Sequence, residues 1–227
     1  MKTATRAAGR LVEAILSAIL PADCLLCEQT LPWRQEGGVC PPCWERLPWA
    51  PGYRPRRGVL DALLWAADYD GPIRSLVHGL KFADMDALAP ALGRRMASRL
   101  GPIIFGHRTD LIVPVPLHFW RRFRRGYNQA ELLARAIARP AGLPLDIRAV
   151  RRRRAGRRQL GLSRLERRRS LAGCFAARPS RVRGRTILLV DDVVTTGATL
   201  EACARVLLHA GARRVVGCVL ARTPKNV

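Results

Sequence analysis

Acidic side chains are scarce in this sequence: 17 Asp and Glu stand against 40 Lys and Arg, for a formal charge of +23 at pH 7. Lysine is scarcer still, confined to Lys2, Lys81 and Lys225, so arginine carries the excess. Codon usage explains part of that bias, but the resulting field attracts polyanions such as nucleic acid or pyrophosphate compounds. No apolar run approaches the roughly 20 residues that a membrane-spanning helix needs, which excludes such a span. The Lys of a Walker loop and the spaced glycines of a dinucleotide fold are both missing, so neither ATP nor NAD is favoured. His107, His118 and His209 share no metal-ligand spacing, and His78 reads as a surface residue. Cysteine is not scarce. Of seven copies, Cys24, Cys27, Cys40 and Cys43 cluster, while Cys174, Cys203 and Cys218 lie apart in apolar surroundings. An odd total with three core-like thiols points to a reducing cytosol, hence a cytoplasmic protein. The length of 227 residues leaves room for one good core and a small accessory module.

What is present centres on fourteen residues, from Ile187 to Leu200. Ile187-Leu188-Leu189-Val190 reads as a buried strand, with Asp191 and Asp192 at its carboxyl end. A short Thr/Gly loop then opens a helix, since Leu200, Cys203, Val206, Leu207 and Ala210 recur at helical spacing before Gly211. Arg214 to Leu220 supplies a second strand, and the whole makes a right-handed βαβ unit of a parallel sheet. Ligands of such sheets bind off the carboxyl ends of the strands, where this loop lies. The N–H groups and hydroxyls of Thr195 to Thr199 form a concavity suited to a phosphate. Ionised Asp191 and Asp192 are acceptors only, so they suit ribose hydroxyls or a Mg²⁺ sphere. Together these describe a site for a ribose 5-phosphate group. Ordinary capping also places Asp and Thr at a strand-to-helix turn.

The segment resembles the signature that binds phosphoribosyl pyrophosphate in type I phosphoribosyltransferases: apolar strand, Asp-Asp, apolar pair, Thr-Thr-Gly-Ala-Thr. The resemblance implies an α/β fold with a parallel, Rossmann-like sheet over residues 108–227. It also implies that Val193, Thr195, Thr196, Gly197, Ala198 and Thr199 hold the ligand beside Asp191 and Asp192, with Mg²⁺.

Upstream, residues 1–20 join a basic start to an apolar stretch. Leu11, Ile15 and Ile19 repeat at helical spacing and Glu13 interrupts the run, so an amphipathic helix is expected rather than a signal peptide. Residues 21–48 hold Cys24-x2-Cys27, a twelve-residue spacer and Cys40-x2-Cys43, the pattern of a structural zinc ribbon with four cysteine ligands. Two disulfides or a redox pair are the alternatives. Residues 49–58, rich in Pro, Gly and Arg, read as a linker. The rest of 49–107 reads as a strand (Leu60 to Tyr69) and a helical hood (Ile73 to Phe82, Leu88 to Leu100). Arg74 and Lys81 are exposed candidates for ligand contacts, or a solvated helix face.

Leu111 to Leu117 is a further strand, followed by Arg121, Arg122, Arg124 and Arg125, then Gly126-Tyr127-Asn128-Gln129 and a helix from Ala130 to Ala138. Residues 148–185 carry fifteen Arg and one acidic residue, Glu166, which suits a solvated loop. Pro-x-Pro-Leu (114–117), Arg-Gly-Tyr-Asn-Gln (125–129), Gln159-Leu160-Gly161-Leu162-Ser163, Arg167 and Ala172-Gly173-Cys174-Phe175 resemble the ComF family, competence-associated proteins with an amino-terminal zinc ribbon. Ser170 departs from that pattern, where the family commonly has Asn. The resemblance implies a pyrophosphate loop at Arg125 and Gly126, a mobile loop closing over the substrate, and a part in nucleoside metabolism, competence and DNA uptake. A phosphoribosyltransferase with an unidentified acceptor is one reading. The other is a non-catalytic accessory protein that binds single-stranded DNA and DNA-processing proteins, with Trp33, Trp44 and Trp49 near the metal as stacking candidates. Trp beside zinc is equally ordinary small-module core. The sequence leaves the oligomeric state open.

Overall fold

A computed structural model describes residues 22–32, 35–56, 58–82, 87–117, 126–153 and 171–224. The expected amphipathic helix of residues 1–20, Arg121 to Arg125 and the stretch 159–170 lie outside these described residues.

The scaffold is a five-stranded sheet. Its strands are β3 (Trp49–Pro55), β4 (Ala62–Asp68), β5 (Leu111–Pro114), β8 (Thr186–Val194) and β9 (Arg214–Arg222), in the order β3-β4-β9-β8-β5. Strands β4, β9, β8 and β5 run parallel, while β3 pairs antiparallel with β4 at one edge. Side chains of a strand alternate between faces. Leu188 and Val190 accordingly join the core under helices α2 (Gly71–Phe82), α3 (Leu88–Gly106) and α4 (Gln129–Ala141). Ile187 and Leu189 join the core on the other face, with the short α5 (Pro179–Val182) and α6 (Ala198–His209). A short antiparallel ribbon of β6 (Val150–Arg152) and β7 (Phe175–Ala177) lies on that second face. The expected strand, helix and strand of residues 187–220 are thus β8, α6 and β9, adjacent and parallel.

The segment 49–58 departs from expectation. Its composition predicts a linker, yet Trp49–Pro55 is an edge strand. Pro51 and Pro55 lack a donor for the ladder, and only an edge tolerates that loss. Gly52 is required there. A Cβ on it would fall 2.1 Å from the Trp65 indole, so only a bare backbone lies flat on the ring. Between α3 and α4 the approach is as close: a Cβ on Gly93 would come within 2.3 Å of the Ala136 Cβ. No helix among the described residues is long and apolar enough to cross a membrane.

Candidate functional site

Strand β8 does not stop at the acid pair but carries on through it to Val194, which leaves Asp191 and Asp192 at the carboxyl end of the sheet. Each carboxylate is tied to the next peptide. The Asp192 N–H donates to Asp191 Oδ1 at 2.9 Å, and the Val193 N–H donates to Asp192 Oδ1 at 2.6 Å. Burial pushes the Asp191 carboxyl well above the usual carboxylate range, and the neighbouring Asp192 charge adds to the effect; the Lys81 cation opposes it. Lys81, in the last turn of α2, places Nζ 3.0 Å from Asp192 Oδ2. The sequence presents it as an exposed candidate, but its side chain is 24% exposed and spent on the acid tip. Next to it, the Leu80 carbonyl accepts from the Tyr127 hydroxyl at 3.1 Å, which joins the hood to the loop before α4.

Past Val194 the chain turns through Thr195 to Gly197 and enters α6. Gly197 takes φ +77°, the left-handed region that suits glycine. The Ala198 N–H donates to Thr196 Oγ1 at 3.4 Å, and the Glu201 N–H donates to the Gly197 carbonyl at 2.9 Å. Thr195 is exposed, Thr196 and Thr199 are half-buried, and Ala198 is buried. One residue at this turn escapes sequence reasoning. Arg56, just beyond β3, places Nη2 3.1 Å from Oε1 of buried Glu201.

The third loop at this end holds Gly126, at φ +73°. Asn128 then caps α4: its Oδ1 accepts from the Ala130 N–H at 3.2 Å while its Nδ2 donates to the Val115 carbonyl at 3.1 Å. The arginines that precede this loop, Arg125 included, lie outside the described residues.

A second centre lies at the amino-terminal end. The Sγ atoms of Cys24, Cys27, Cys40 and Cys43 all fall within 4.8 Å of one another. Cys27 and Cys40 are 3.7 Å apart, and all four are free thiols rather than disulfides. Four thiolates around a zinc at about 2.3 Å require edges of about 3.8 Å, so this donor set fits a closed structural zinc site. At these separations the thiols shift one another's protonation. Burial works to raise the Cys24 thiol, but peptide N–H groups of Cys40, Leu26 and Cys27 outweigh it and leave the group lowered to about 6. Cys43 is pushed up to about 12, by its contacts with Cys40 and Cys27 first.

The small module built on these cysteines has strands β1 (Ala22–Asp23) and β2 (Thr30–Leu31) and helix α1 (Pro41–Glu45). Its apolar residues Leu31, Val39, Trp44 and Leu47 continue the core beneath α3. The expected stacking platform is not formed by Trp44 or Trp49. Trp44 is 6% exposed with the Arg95 guanidinium 3.8 Å over its ring, and Arg99 covers the Trp49 ring at 4.5 Å. Each ring thus meets an arginine of α3. Trp33 lies outside the described residues. The three isolated thiols, Cys174, Cys203 and Cys218, are buried in the two cores.

An acid tip, a Thr-Gly turn at a helix start and a parallel sheet define a phosphoribosyltransferase-type domain, and residues 107–226 match the phosphoribosyl transferase domain family. The chain is 36% identical over 212 residues to the "DNA utilization protein YhgH" of Escherichia coli strain K12, covering 88% of this chain and 90% of that protein. It is 32% identical over 167 residues to "Competence protein F" of Haemophilus influenzae, covering 71% and 73% of the two chains. Among solved structures, glutamine phosphoribosylpyrophosphate amidotransferase from B. subtilis aligns over 58% of this chain and 25% of that one, with 20% identity and a TM-score of 0.41. The chain belongs to the ComF family, phosphoribosyltransferase-type proteins with an amino-terminal four-cysteine module.

Proposed function

We propose that the protein binds phosphoribosyl pyrophosphate with Mg²⁺ at the carboxyl end of β8 and transfers its phosphoribosyl group to an acceptor. The observation that carries this reading is the meeting of a lysine-braced acid pair with a Thr-Gly turn opening α6. Asp191 and Asp192 accept hydrogen bonds from the ribose hydroxyls. The N–H groups and hydroxyls from Thr195 to Thr199, with Gly197 and Ala198 in the turn, receive the 5-phosphate, while Val193 closes the floor. Gly126, ahead of the Asn128 cap, lies in the loop assigned to the pyrophosphate, and the family resemblance adds Arg125 to that role.

In the reaction the acceptor forms a bond to the anomeric carbon as its bond to the pyrophosphate oxygen breaks, and the ring passes through an oxocarbenium-like state. The chain contributes electrostatics to this step and no covalent nucleophile. Its acid tip serves a sugar that becomes positive, and its excess of arginine offers cations to a leaving group that becomes negative. Bound Mg²⁺ supplies neutralisation of pyrophosphate charge. The zinc site folds the amino-terminal module and takes no part in the chemistry.

The names of the relatives support a role connected with DNA uptake, and the free thiols suit the reducing cytoplasm. Calorimetry with phosphoribosyl pyrophosphate and Mg²⁺ tests the reading. Asp191→Asn with Asp192→Asn is expected to remove binding while leaving the fold intact, and equal affinity in that variant refutes it. A pyrophosphate-release screen over nucleobases, amines and water then identifies the acceptor. A second reading, binding of single-stranded DNA, is favoured by the +23 charge alone. It requires an affinity that falls linearly with salt on a log–log plot, and no binding at low salt removes it.

A further inference from the structure

Building on the phosphoribosyl reading, we infer that Arg56 is a phosphate-recognition residue, held over the Thr-Gly turn by Glu201, that selects ligands ending in a phosphate monoester. Glu201 lies in the first turn of α6 and is only 5% exposed. A carboxylate there favours the helix dipole. It also repels a doubly charged phosphate seated at the same helix start, so the turn needs a cation to accept one. Arg56 meets that need. Its Nη2 is 3.1 Å from Glu201 Oε1, and a Cβ built on Gly197 would lie 3.5 Å from its Nη1 and 3.9 Å from its Nη2. One nitrogen of the planar fork is thus engaged with the carboxylate while the other leans over the turn.

The side chain is also anchored from behind. The Arg56 N–H donates to the Asp61 carbonyl at 2.9 Å, at the end of the edge strand β3. Its side chain keeps 18% exposure, enough to reach an incoming anion. The residue stands outside the segment 107–226 that matches the phosphoribosyl transferase domain family. A contact from the antiparallel edge strand thus completes a cradle whose other parts come from β8 and α6.

The test is calorimetry on the full chain with three probes: phosphoribosyl pyrophosphate, ribose 5-phosphate, and inorganic pyrophosphate, which has no phosphate monoester. Arg56→Met is expected to weaken the first two by about tenfold or more, the loss of a charge-assisted hydrogen bond, and to leave inorganic pyrophosphate unchanged. That variant takes the cation away from the buried Glu201 carboxylate, so Arg56→Met with Glu201→Gln serves as the partner variant that keeps the fold. It is expected to recover the part of the loss that Glu201 repulsion causes and still to bind ribose 5-phosphate more weakly than the wild-type chain, because the direct contact from Arg56 is gone. If the double variant regains wild-type affinity, Arg56 only neutralises Glu201 and the inference is overturned. Wild-type affinity in Arg56→Met, or equal losses for all three probes, overturns it too and leaves the proposed function standing. A wild-type chain that binds neither phosphoribosyl pyrophosphate nor ribose 5-phosphate overturns both together.

Discussion

The cysteine centre and the acid tip both gather groups that repel one another when ionised, but each solves that problem with different means. Four thiols within 4.8 Å cannot all ionise in a small module unless a cation sits among them. Two carboxylates at the end of β8 are instead braced by a lysine from a neighbouring helix and by peptide N–H groups. The first centre has the donor set of a closed site, whose stability comes from the metal it would hold. The second belongs to a rigid sheet and keeps an unfavourable charge at the place where a ligand would relieve it.

The largest effect should come from breaking the closed centre. Cys40→Ser with Cys43→Ser forfeits metal binding worth on the order of 10 kcal/mol, which rivals the whole stability of a typical domain. Trp44, Leu47 and Val39 share a core with α3, so the loss should spread into the sheet domain rather than stay local. Elemental analysis should show bound zinc vanish, and the thermal midpoint should fall by more than about 10 °C. An unchanged midpoint would mean that the module is merely attached.

Next in size is the scaffold of the open centre. Gly93→Ala adds a methyl where only 2.3 Å separates it from the Ala136 Cβ, and 3.1 Å from the Leu133 carbonyl. Ala gains about 1 kcal/mol of helix propensity over Gly. Pushing α3 off α4 should cost about 1–3 kcal/mol, so the clash wins. Urea unfolding should show the net loss, and a more stable variant would show that the two helices slide apart freely.

How much of each centre could be read in advance follows from the same contrast. The cysteine spacing and the Asp-Asp-x-x-Thr-Thr-Gly run are local patterns, the first contained in residues 24–43 and the second at the end of β8 and the turn into α6. Arg56 is not local. It reaches Glu201 only because Trp49–Pro55 pairs with β4, and two prolines and a glycine mark that strand as a linker. Gly52 opposite Trp65 is the available clue, since a glycine between prolines also suits a strand that must lie flat on an indole. Lys81 is visible as a cation on a helix, but its partner lies 111 residues away, and periodicity cannot separate a solvated face from one that meets Asp192. For Trp44 the composition near the four cysteines suggests exposure and packing alike, and burial under Arg95 decides for packing.

A smaller effect separates stability from function at the open centre. Burial and the Asp192 charge raise the Asp191 carboxyl in the folded state, so the folded chain binds its proton more tightly than the unfolded chain does. Stability should therefore fall as pH rises from the ordinary carboxylate value to the raised one, and above it the ionised group is a net burden. Asp191→Asn removes that burden while its Oδ1 can still accept from the Asp192 N–H. The thermal midpoint at neutral pH should rise by about 2–4 °C per kcal/mol relieved, with ligand affinity lost. A lower midpoint would show that the ionised carboxylate is better solvated than its burial implies.

The smallest effect tests whether the lysine braces the tip or only decorates it. Lys81 opposes the upward shift of Asp191, so Lys81→Met should raise that carboxyl further. Ligand affinity should then rise with pH along a curve displaced toward higher pH than in the wild-type chain. The loss near pH 7 should be modest, about fivefold or less, because a partly exposed pair is worth at most about 1 kcal/mol. Calorimetry across a pH series distinguishes the two cases: a bracing lysine displaces the curve, whereas one that contacts only the ligand lowers affinity equally at every pH. Lys81→Arg, which keeps the charge, should restore the position of the curve, and a displaced curve in that variant would mean that geometry rather than charge holds the carboxylates in register.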